Sequence, residues 1–84
     1  MLVNKRLDMG LRLLLGLAKK PDQLQSARDL AQNQGLPETS VRPILRDLSR
    51  AGFLASEIGR EGGYKLAKPP EEIRLADVFQ VLAG

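Results

Sequence analysis

The stretch from Leu36 to Tyr64 constrains the fold more than any other part of this 84-residue chain. Its first half carries apolar residues at spacings of i, i+3, i+4 and i+7, namely Val41, Ile44, Leu45 and Leu48. This spacing is typical of a helix with one buried face. Three arginines stand between them at spacings of four, namely Arg42, Arg46 and Arg50. The pattern predicts a helix that packs on one side and is positively charged on the other.

The second half of the stretch has the pattern of a β-hairpin. Two short runs, Phe53 to Ile58 and Tyr64 to Ala67, read as paired strands, with Lys65 facing away from Tyr64. The turn between them places Arg60 at its tip, and its glycines allow a sharp reversal of the backbone. A basic helix followed by a basic hairpin predicts a mainly α fold with a small two-stranded β-wing, the winged helix-turn-helix.

Two helices should precede this stretch. Asn4 is a candidate N-cap for a first helix that ends near Lys19. Ser26 resembles the start of a capping box, so a second helix should begin at Ala27 and end at Gly35. Residues 36–38 then form the turn of the helix-turn-helix.

Prolines and poor capping residues make two later boundaries harder to assign. Pro43 would break a hydrogen bond inside the third helix, and we therefore predict that this helix starts late, with Thr39 as its N-cap. The alternative is a kinked start near Glu38. After the wing, residues 68–72 should be an extended polar link, and a last helix should run from residue 73 to 82, with Arg74 as a weak cap.

The first helix is apolar on two sides, and the sequence does not specify what covers the second side. One row of apolar residues comprises Leu7, Leu11, Leu14, Leu15 and Ala18, and a second row comprises Met9, Leu13 and Leu17. A helix this apolar should be covered on two sides. The second row therefore belongs either to the internal core or to a contact with another protomer.

Composition narrows the classes of function. The chain has no Cys and no His, which removes disulfides, thiol chemistry and the usual ligands of zinc or iron–sulfur clusters. Without these residues the carboxylates would have to converge for catalysis, yet they fall on different predicted elements, so we expect no enzyme. No segment has the length of a membrane span or the pattern of a signal peptide, so we expect a cytoplasmic protein. A net charge of +3 and a pI near 9.7 favour a polyanionic partner.

Several motifs in this order resemble the Rrf2 family of bacterial transcription regulators. They are Ser26 to Ala31, Gly35-Leu36-Pro37, Ile44 to Leu48, Ala51-Gly52 and the run from Gly62 to Ile73. The wing Gly-Gly-Tyr with the following Ala-Lys-Pro-Pro-Glu-Glu-Ile is the most specific of them, and the resemblance covers essentially the whole chain. It implies a single DNA-binding domain over residues 1–84, from a dimeric regulator that is usually a repressor. It also implies a third helix in the major groove of double-stranded DNA and a wing along the minor groove.

Three departures from the family limit what the resemblance implies. Members that sense iron–sulfur clusters or nitric oxide use cysteines, so no cofactor is expected here. The family dimerises mainly through a long C-terminal helix, so we expect weak or no homodimer and either a DNA-binding fragment or a minimal member. Many members carry a cation where this sequence has Ile58, and Arg60 at the tip is a candidate replacement.

The expected DNA-binding residues fall on three predicted elements. They are Ser26 and Arg28 near phosphates, Glu38, Thr39, Ser40 and Arg42 near base edges, Arg46 and Arg50 further along the third helix, and Arg60 and Lys65 on the wing. Helix capping is an equally good explanation of Thr39 and Ser40. The arginines would be an ordinary charged surface in an arbitrary protein, but their place on a recognition helix favours DNA.

The alternative function is a winged helix that binds an acidic protein partner instead of DNA. Both functions use the same fold, so the fold cannot distinguish them. Affinity for DNA should fall steeply with salt, because phosphate neutralisation releases counterions.

Overall fold

The computed structural model describes residues 4–83. In chain order these residues form α1 (Lys5–Ala18), α2 (Ala27–Gln34), α3 (Glu38–Arg50), β1 (Leu54–Glu57), β2 (Gly63–Leu66), a 3-10 turn (Pro70–Glu72) and α4 (Leu75–Ala83). The two strands pair antiparallel and form the wing. This arrangement confirms the predicted winged helix-turn-helix.

The first helix begins as the sequence predicts, and members of both its apolar rows pack into the core. The Asn4 side chain caps it by accepting a hydrogen bond from the backbone N–H of Arg6 at 2.8 Å. The row of Met9, Leu13 and Leu17 is buried, because α1 packs against α2, α3 and α4 of its own chain. That row therefore belongs to the internal core, and the suggested contact with another protomer through it is wrong.

The second helix follows its predicted boundaries. The Ser26 hydroxyl accepts a hydrogen bond from the backbone N–H of Asp29 at 3.0 Å, and this bond satisfies one of the free donors of the first turn. Gly35 ends the helix in the left-handed conformation, with φ of 65° and ψ of 34°. The chain then turns through Pro37 into α3, which completes the helix-turn-helix.

The predicted late start of α3 at an N-cap Thr39 is wrong. The helix begins at Glu38, and the Pro37 carbonyl accepts the N–H groups of Ser40 and Val41, each at 3.1 Å. The alternative start near Glu38 is thus the one observed.

Pro43 lies in the second turn of α3 and has no N–H to donate to the Thr39 carbonyl. Neighbouring Val41 and Ile44 are buried, and packing of this face offsets the missing hydrogen bond. At its other end the helix stops at Arg50, and Gly52 follows with φ of +91°, a conformation that glycine adopts without strain.

The wing is attached to the start of α2 by a short backbone bridge. Gln25 and Tyr64 exchange two backbone hydrogen bonds, of 2.9 Å and 2.8 Å, beyond the ladder that joins β1 to β2. Gly63 makes this approach possible, because a Cβ there would lie 2.6 Å from the Gln25 carbonyl oxygen. The first strand is two residues shorter than predicted, whereas β2 has the predicted four residues but begins one residue earlier, at Gly63. A bond from Ala67 N–H to the Phe53 carbonyl extends the pairing.

The segment after the wing is more ordered than an extended link. Residues Pro70–Glu72 form a 3-10 turn, because the fixed φ of Pro70 suits its first position. The last helix begins at Leu75 instead of residue 73. The Arg74 carbonyl accepts N–H groups of the first turn of α4, in agreement with its predicted place just before the helix.

One hydrophobic core joins all four helices and the wing. Its fully buried side chains are Leu13, Leu17, Leu30, Val41, Ile44, Leu45, Leu48, Val78 and Leu82. Gly10 on α1 lets Leu82 of α4 approach closely, since a Cβ at residue 10 would overlap the Leu82 side chain. This core holds α3 rigidly against α1, α2 and α4, so the outer face of α3 has a fixed position relative to the wing.

Candidate nucleic-acid interface

The outer face of α3 carries a row of exposed arginines. Arg42, Arg46 and Arg50 are all exposed, while the apolar residues between them are buried in the core. The predicted division of the helix into a packed face and a basic face is therefore confirmed.

The first turn of α3 contains an ion pair between Glu38 and Arg42 that was not predicted from the sequence. The Arg42 Nε donates a hydrogen bond to Glu38 Oε2 at 2.7 Å, and Arg42 Nη2 donates to the same oxygen. The two residues are four apart, with the acid nearer the helix N-terminus, which is the favourable order for such a pair. Thr39 is exposed beside them and Ser40 is half-buried. Since Thr39 does not cap the helix, its side chain is not committed to the helix start.

A second ion pair joins α3 to α1, and the same arginine also bonds to α4. Arg6 Nη2 donates to Asp47 Oδ2 at 2.5 Å, and Arg6 Nε donates to the Leu82 carbonyl at 2.9 Å. Arg46, its neighbour in sequence, is more distant, with Nε 3.9 Å from Asp47 Oδ1, so the shorter bond of Asp47 goes to Arg6.

This contact changes the titration of Asp47. The hydrogen bond from Arg6 holds the pKa of the Asp47 carboxyl below its ordinary value of 3.8. Burial acts in the opposite direction, and the charges of Arg6, Arg46 and Arg50 add to the lowering. Asp47 is therefore ionised at neutral pH, and its shortest bond joins α3 to Arg6 on α1, while Arg46 lies at the longer distance.

A polar hollow lies between the start of α2, the middle of α3 and the wing. Its volume is about 270 Å³, and its walls include Ser26, Arg28, Arg42 and Tyr64 together with the ends of the wing strands. Backbone N–H groups at the start of α2 and the Arg28 guanidinium favour an anion here. The Glu57 carboxylate also lines the hollow, and Arg42 is paired with Glu38. The structure thus brings together three of the predicted site residues from two helices.

The wing places its two cations apart from this hollow. Arg60 is exposed at the tip beside Glu61 and lines a separate surface depression with Leu24. Lys65 pairs with Ala55 across the hairpin, and strand alternation puts it on the face opposite to Tyr64. Ile58 is fully exposed.

The structure brings only some of the predicted site residues together. Ser26, Arg28 and Arg42 meet at the hollow, while Arg46 and Arg50 continue along α3. Arg60 and Lys65 lie further out. The structure adds Gln25, which bonds the wing to α2 and carries no sequence signal, and it adds the pairing of Glu38 with Arg42, which their spacing of four residues could have indicated.

Residues 4–83 contain neither a membrane-spanning helix nor an acidic cluster for a metal ion. No helix within residues 4–83 is long and apolar enough to cross a membrane. In the same residues, no three acidic side chains lie together in a way that could hold a metal ion.

Helix-turn-helix, wing and arginine row define a winged-helix protein of the transcription-regulator class. A sequence model of the Rrf2 family, described as "Iron-dependent Transcriptional regulator", matches residues 3–84. The chain belongs to the Rrf2 family.

Individual relatives agree with this assignment. Protein rrf2 of Nitratidesulfovibrio vulgaris is 36% identical over 83 residues, which are 98% of this chain and 55% of that protein. The structure of CymR, the global cysteine regulator of B. subtilis, superposes with a TM-score of 0.92 at 30% identity, covering 100% of this chain and 66% of that one. The T. potens IscR structure gives 0.92 and 30%, covering 100% of this chain and 62% of that one. The chain thus spans about half the length of the curated relative and about two thirds of these structures.

Proposed function

We propose that this chain binds duplex DNA in a sequence-specific manner and acts as a transcriptional repressor. The observation that carries the proposal is the row of three exposed arginines on the second helix of a helix-turn-helix, next to a polar hollow that Arg28 and Arg42 line. A helix of this kind fits the major groove, where its amino-terminal residues reach base edges. DNA as the target would place the protein in the bacterial cytoplasm.

The proposed contacts divide into base reading and phosphate binding. Glu38, Thr39, Ser40 and Arg42 occupy the first turns of α3 and would face base edges. Arg46 and Arg50 would follow one strand of the DNA backbone, and Ser26 and Arg28 would hold a phosphate at the start of α2. Arg28 lines the hollow at that helix start, next to the backbone N–H groups of the first turn of α2.

The wing is proposed to follow the minor groove. Arg60 is exposed at its tip and Lys65 is half-buried on one of its faces, so Arg60 is the more accessible of the two cations for contact with a sugar–phosphate backbone. The bridge between Gln25 and Tyr64 fixes the angle of the wing relative to α2. Wing and recognition helix would therefore bind adjacent grooves as one rigid unit.

The donor atoms of the chain do not fit the iron named in the description of the family. The 84 residues contain no Cys and no His, and the described acidic residues form no cluster. Iron–sulfur clusters are held by cysteine thiolates or histidines. We therefore propose that these residues bind DNA without holding a cofactor themselves.

Self-association of this chain is proposed to be weak. The row of Met9, Leu13 and Leu17 is buried and cannot meet a second copy. The exposed apolar residues of the described part are few and include Leu15, which is 64% exposed, and Leu75. Sedimentation at micromolar concentration should show mainly monomer. A tight dimer that Leu15→Glu dissociates would contradict this proposal.

The proposed function is tested most generally by capture of genomic fragments. The purified protein should enrich a limited set of duplex fragments that share a short sequence, and sequencing of the captured fragments identifies it. Arg46→Ala should weaken binding to all fragments, whereas Arg42→Ala should relax preference at one base position. Enrichment of no fragment, together with capture of an acidic protein from lysate, would favour the protein-interaction function instead.

A further inference from the structure

The ion pair between Glu38 and Arg42 leaves one edge of the guanidinium free. Arginine has five N–H donors in a planar group. Glu38 Oε2 accepts from Nε and from Nη2, so it occupies the side edge of the group. The end edge, formed by Nη1 and the second N–H of Nη2, faces away from the carboxylate. Two parallel N–H groups on that edge match the O6 and N7 acceptors that guanine presents in the major groove.

We infer that Glu38 is a specificity-determining residue that holds Arg42 in the orientation required to read one guanine. This inference rests on the proposed DNA-binding function and deepens it. Arg42 would make the base contact, and Glu38 would act through Arg42 as a positioning residue.

The location of the pair supports this role. Arg42 is exposed and lines the hollow beside the start of α2, so its position lies well inside the proposed interface. An arginine fixed in one orientation loses less rotamer freedom on binding than a mobile one. A mobile arginine on the same surface would reach a phosphate as readily as a base edge. The carboxylate therefore favours base reading over backbone binding.

The charge of Glu38 gives the inference a distinctive signature. A carboxylate near DNA repels phosphates, so its removal should strengthen binding to arbitrary sequences. If Glu38 also fixes Arg42, the same removal should weaken discrimination for guanine. A residue that only stabilised the helix would not produce these opposite changes.

The experiment selects binding sites from a library of randomised duplexes and measures base preference at each position. The proteins compared are the wild type, Glu38→Gln, Arg42→Ala and Asp8→Asn. Asp8→Asn is the matched control, because Asp8 and Arg12 form an ion pair of the same spacing on α1, at 3.2 Å. Affinity for an unrelated duplex and the thermal unfolding midpoint are measured for each protein.

We expect the wild type to prefer guanine at one position by about 5- to 150-fold, the range for a bidentate arginine contact. Arg42→Ala should abolish that preference. Glu38→Gln should reduce it several-fold while raising affinity for the unrelated duplex by about two- to fivefold. Asp8→Asn should change neither quantity.

The outcomes separate this inference from the function on which it rests. A wild type that binds no duplex would overturn the proposed function itself. A wild type that selects sites, with an unchanged guanine preference in Glu38→Gln, would overturn only the role of Glu38. Equal weakening of selected and unrelated duplexes in Glu38→Gln, with earlier unfolding, would show a purely structural role and would also overturn it.

Discussion

The contact between the wing and the start of α2 depends on the absence of a side chain at residue 63. Gly63 has φ of +150°, and a Cβ there would lie 2.6 Å from the Gln25 carbonyl oxygen and 3.0 Å from the Ser26 nitrogen. The neighbouring atoms belong to the backbone and cannot rotate away. Gly63→Ala should therefore strain residue 63 and separate Gln25 from Tyr64.

The cost of this substitution has two sources. Placing a side chain at such a φ costs about 1 to 3 kcal/mol. Each of the two bonds between Gln25 and Tyr64 contributes about 0.5 to 1.5 kcal/mol. We expect the free energy of unfolding to fall by about 3 to 5 kcal/mol, which corresponds to about 4 to 8 °C in melting temperature per kcal/mol for a domain of this size.

Gly59 provides a matched control for the strain alone. It has φ of +124°, but a Cβ there would meet no atom within 4 Å. Urea denaturation followed by circular dichroism should give a loss of about 1 to 2 kcal/mol for Gly59→Ala, well below that of Gly63→Ala. Equal losses for the two variants would refute the close approach of the wing to Gln25.

Three further predictions concern capping, pH and the wing. Ser26→Ala removes the cap of α2 and should lower the free energy of unfolding by about 1 kcal/mol in the same denaturation assay. An unchanged free energy of unfolding would show that the Ser26 side chain does not stabilise the helix. Because Arg6 lowers the pKa of Asp47 in the folded state, this pair stabilises the protein above the ordinary carboxyl pKa and loses its effect as pH falls below it. The difference in unfolding free energy between wild type and Asp47→Asn should therefore narrow as pH is lowered from 6 towards 3, and a constant difference would exclude the linkage. Arg60→Ala should weaken binding to A·T-flanked sites more than to G·C-flanked ones, since narrow A·T grooves attract arginine, whereas Glu61→Gln should strengthen both; equal losses on the two flanks would limit Arg60 to phosphate contact.

Local periodicity was sufficient to predict the elements of this fold. The spacing of Val41, Ile44, Leu45 and Leu48 defined α3 and its exposed face, and Ser26 and Gly35 marked both ends of α2. These signals act within a few residues, so they can be read without knowledge of the fold. The wing followed from its glycines for the same reason.

The errors occurred where packing or distant residues decide the outcome. Pro43 has an intrinsic cost in a helix that favoured a late start at Thr39, but burial of its neighbours overrides that cost. An apolar repeat also cannot tell which of two faces the other helices will cover, and so the row of Met9, Leu13 and Leu17 was open to both interpretations.

The candidate site was also predicted only in part, because some of its contacts join residues that are distant in the sequence. The exposed arginine row was predicted from sequence, whereas the partner of Asp47 was not, because Arg6 lies 41 residues away along the chain. The bridge from Gln25 to Tyr64 is a backbone contact, and no residue type specifies it. Only the tertiary arrangement reveals that wing, α2 and α3 surround one polar hollow.

The salt dependence of duplex binding tests the central claim, that the basic face of α3 and the start of α2 contact DNA phosphates. Arg28, Arg46 and Arg50 are the cations proposed to make these contacts. These three contacts contribute about −2.7 to the slope of log affinity against log salt, about −0.9 each, and contacts by the wing add to it. Fluorescence anisotropy with a captured duplex should give a slope at least this steep for the wild type, and a slope flatter by about 0.9 for Arg46→Ala. A wild-type slope near zero, or the same slope for both proteins, would contradict the claim.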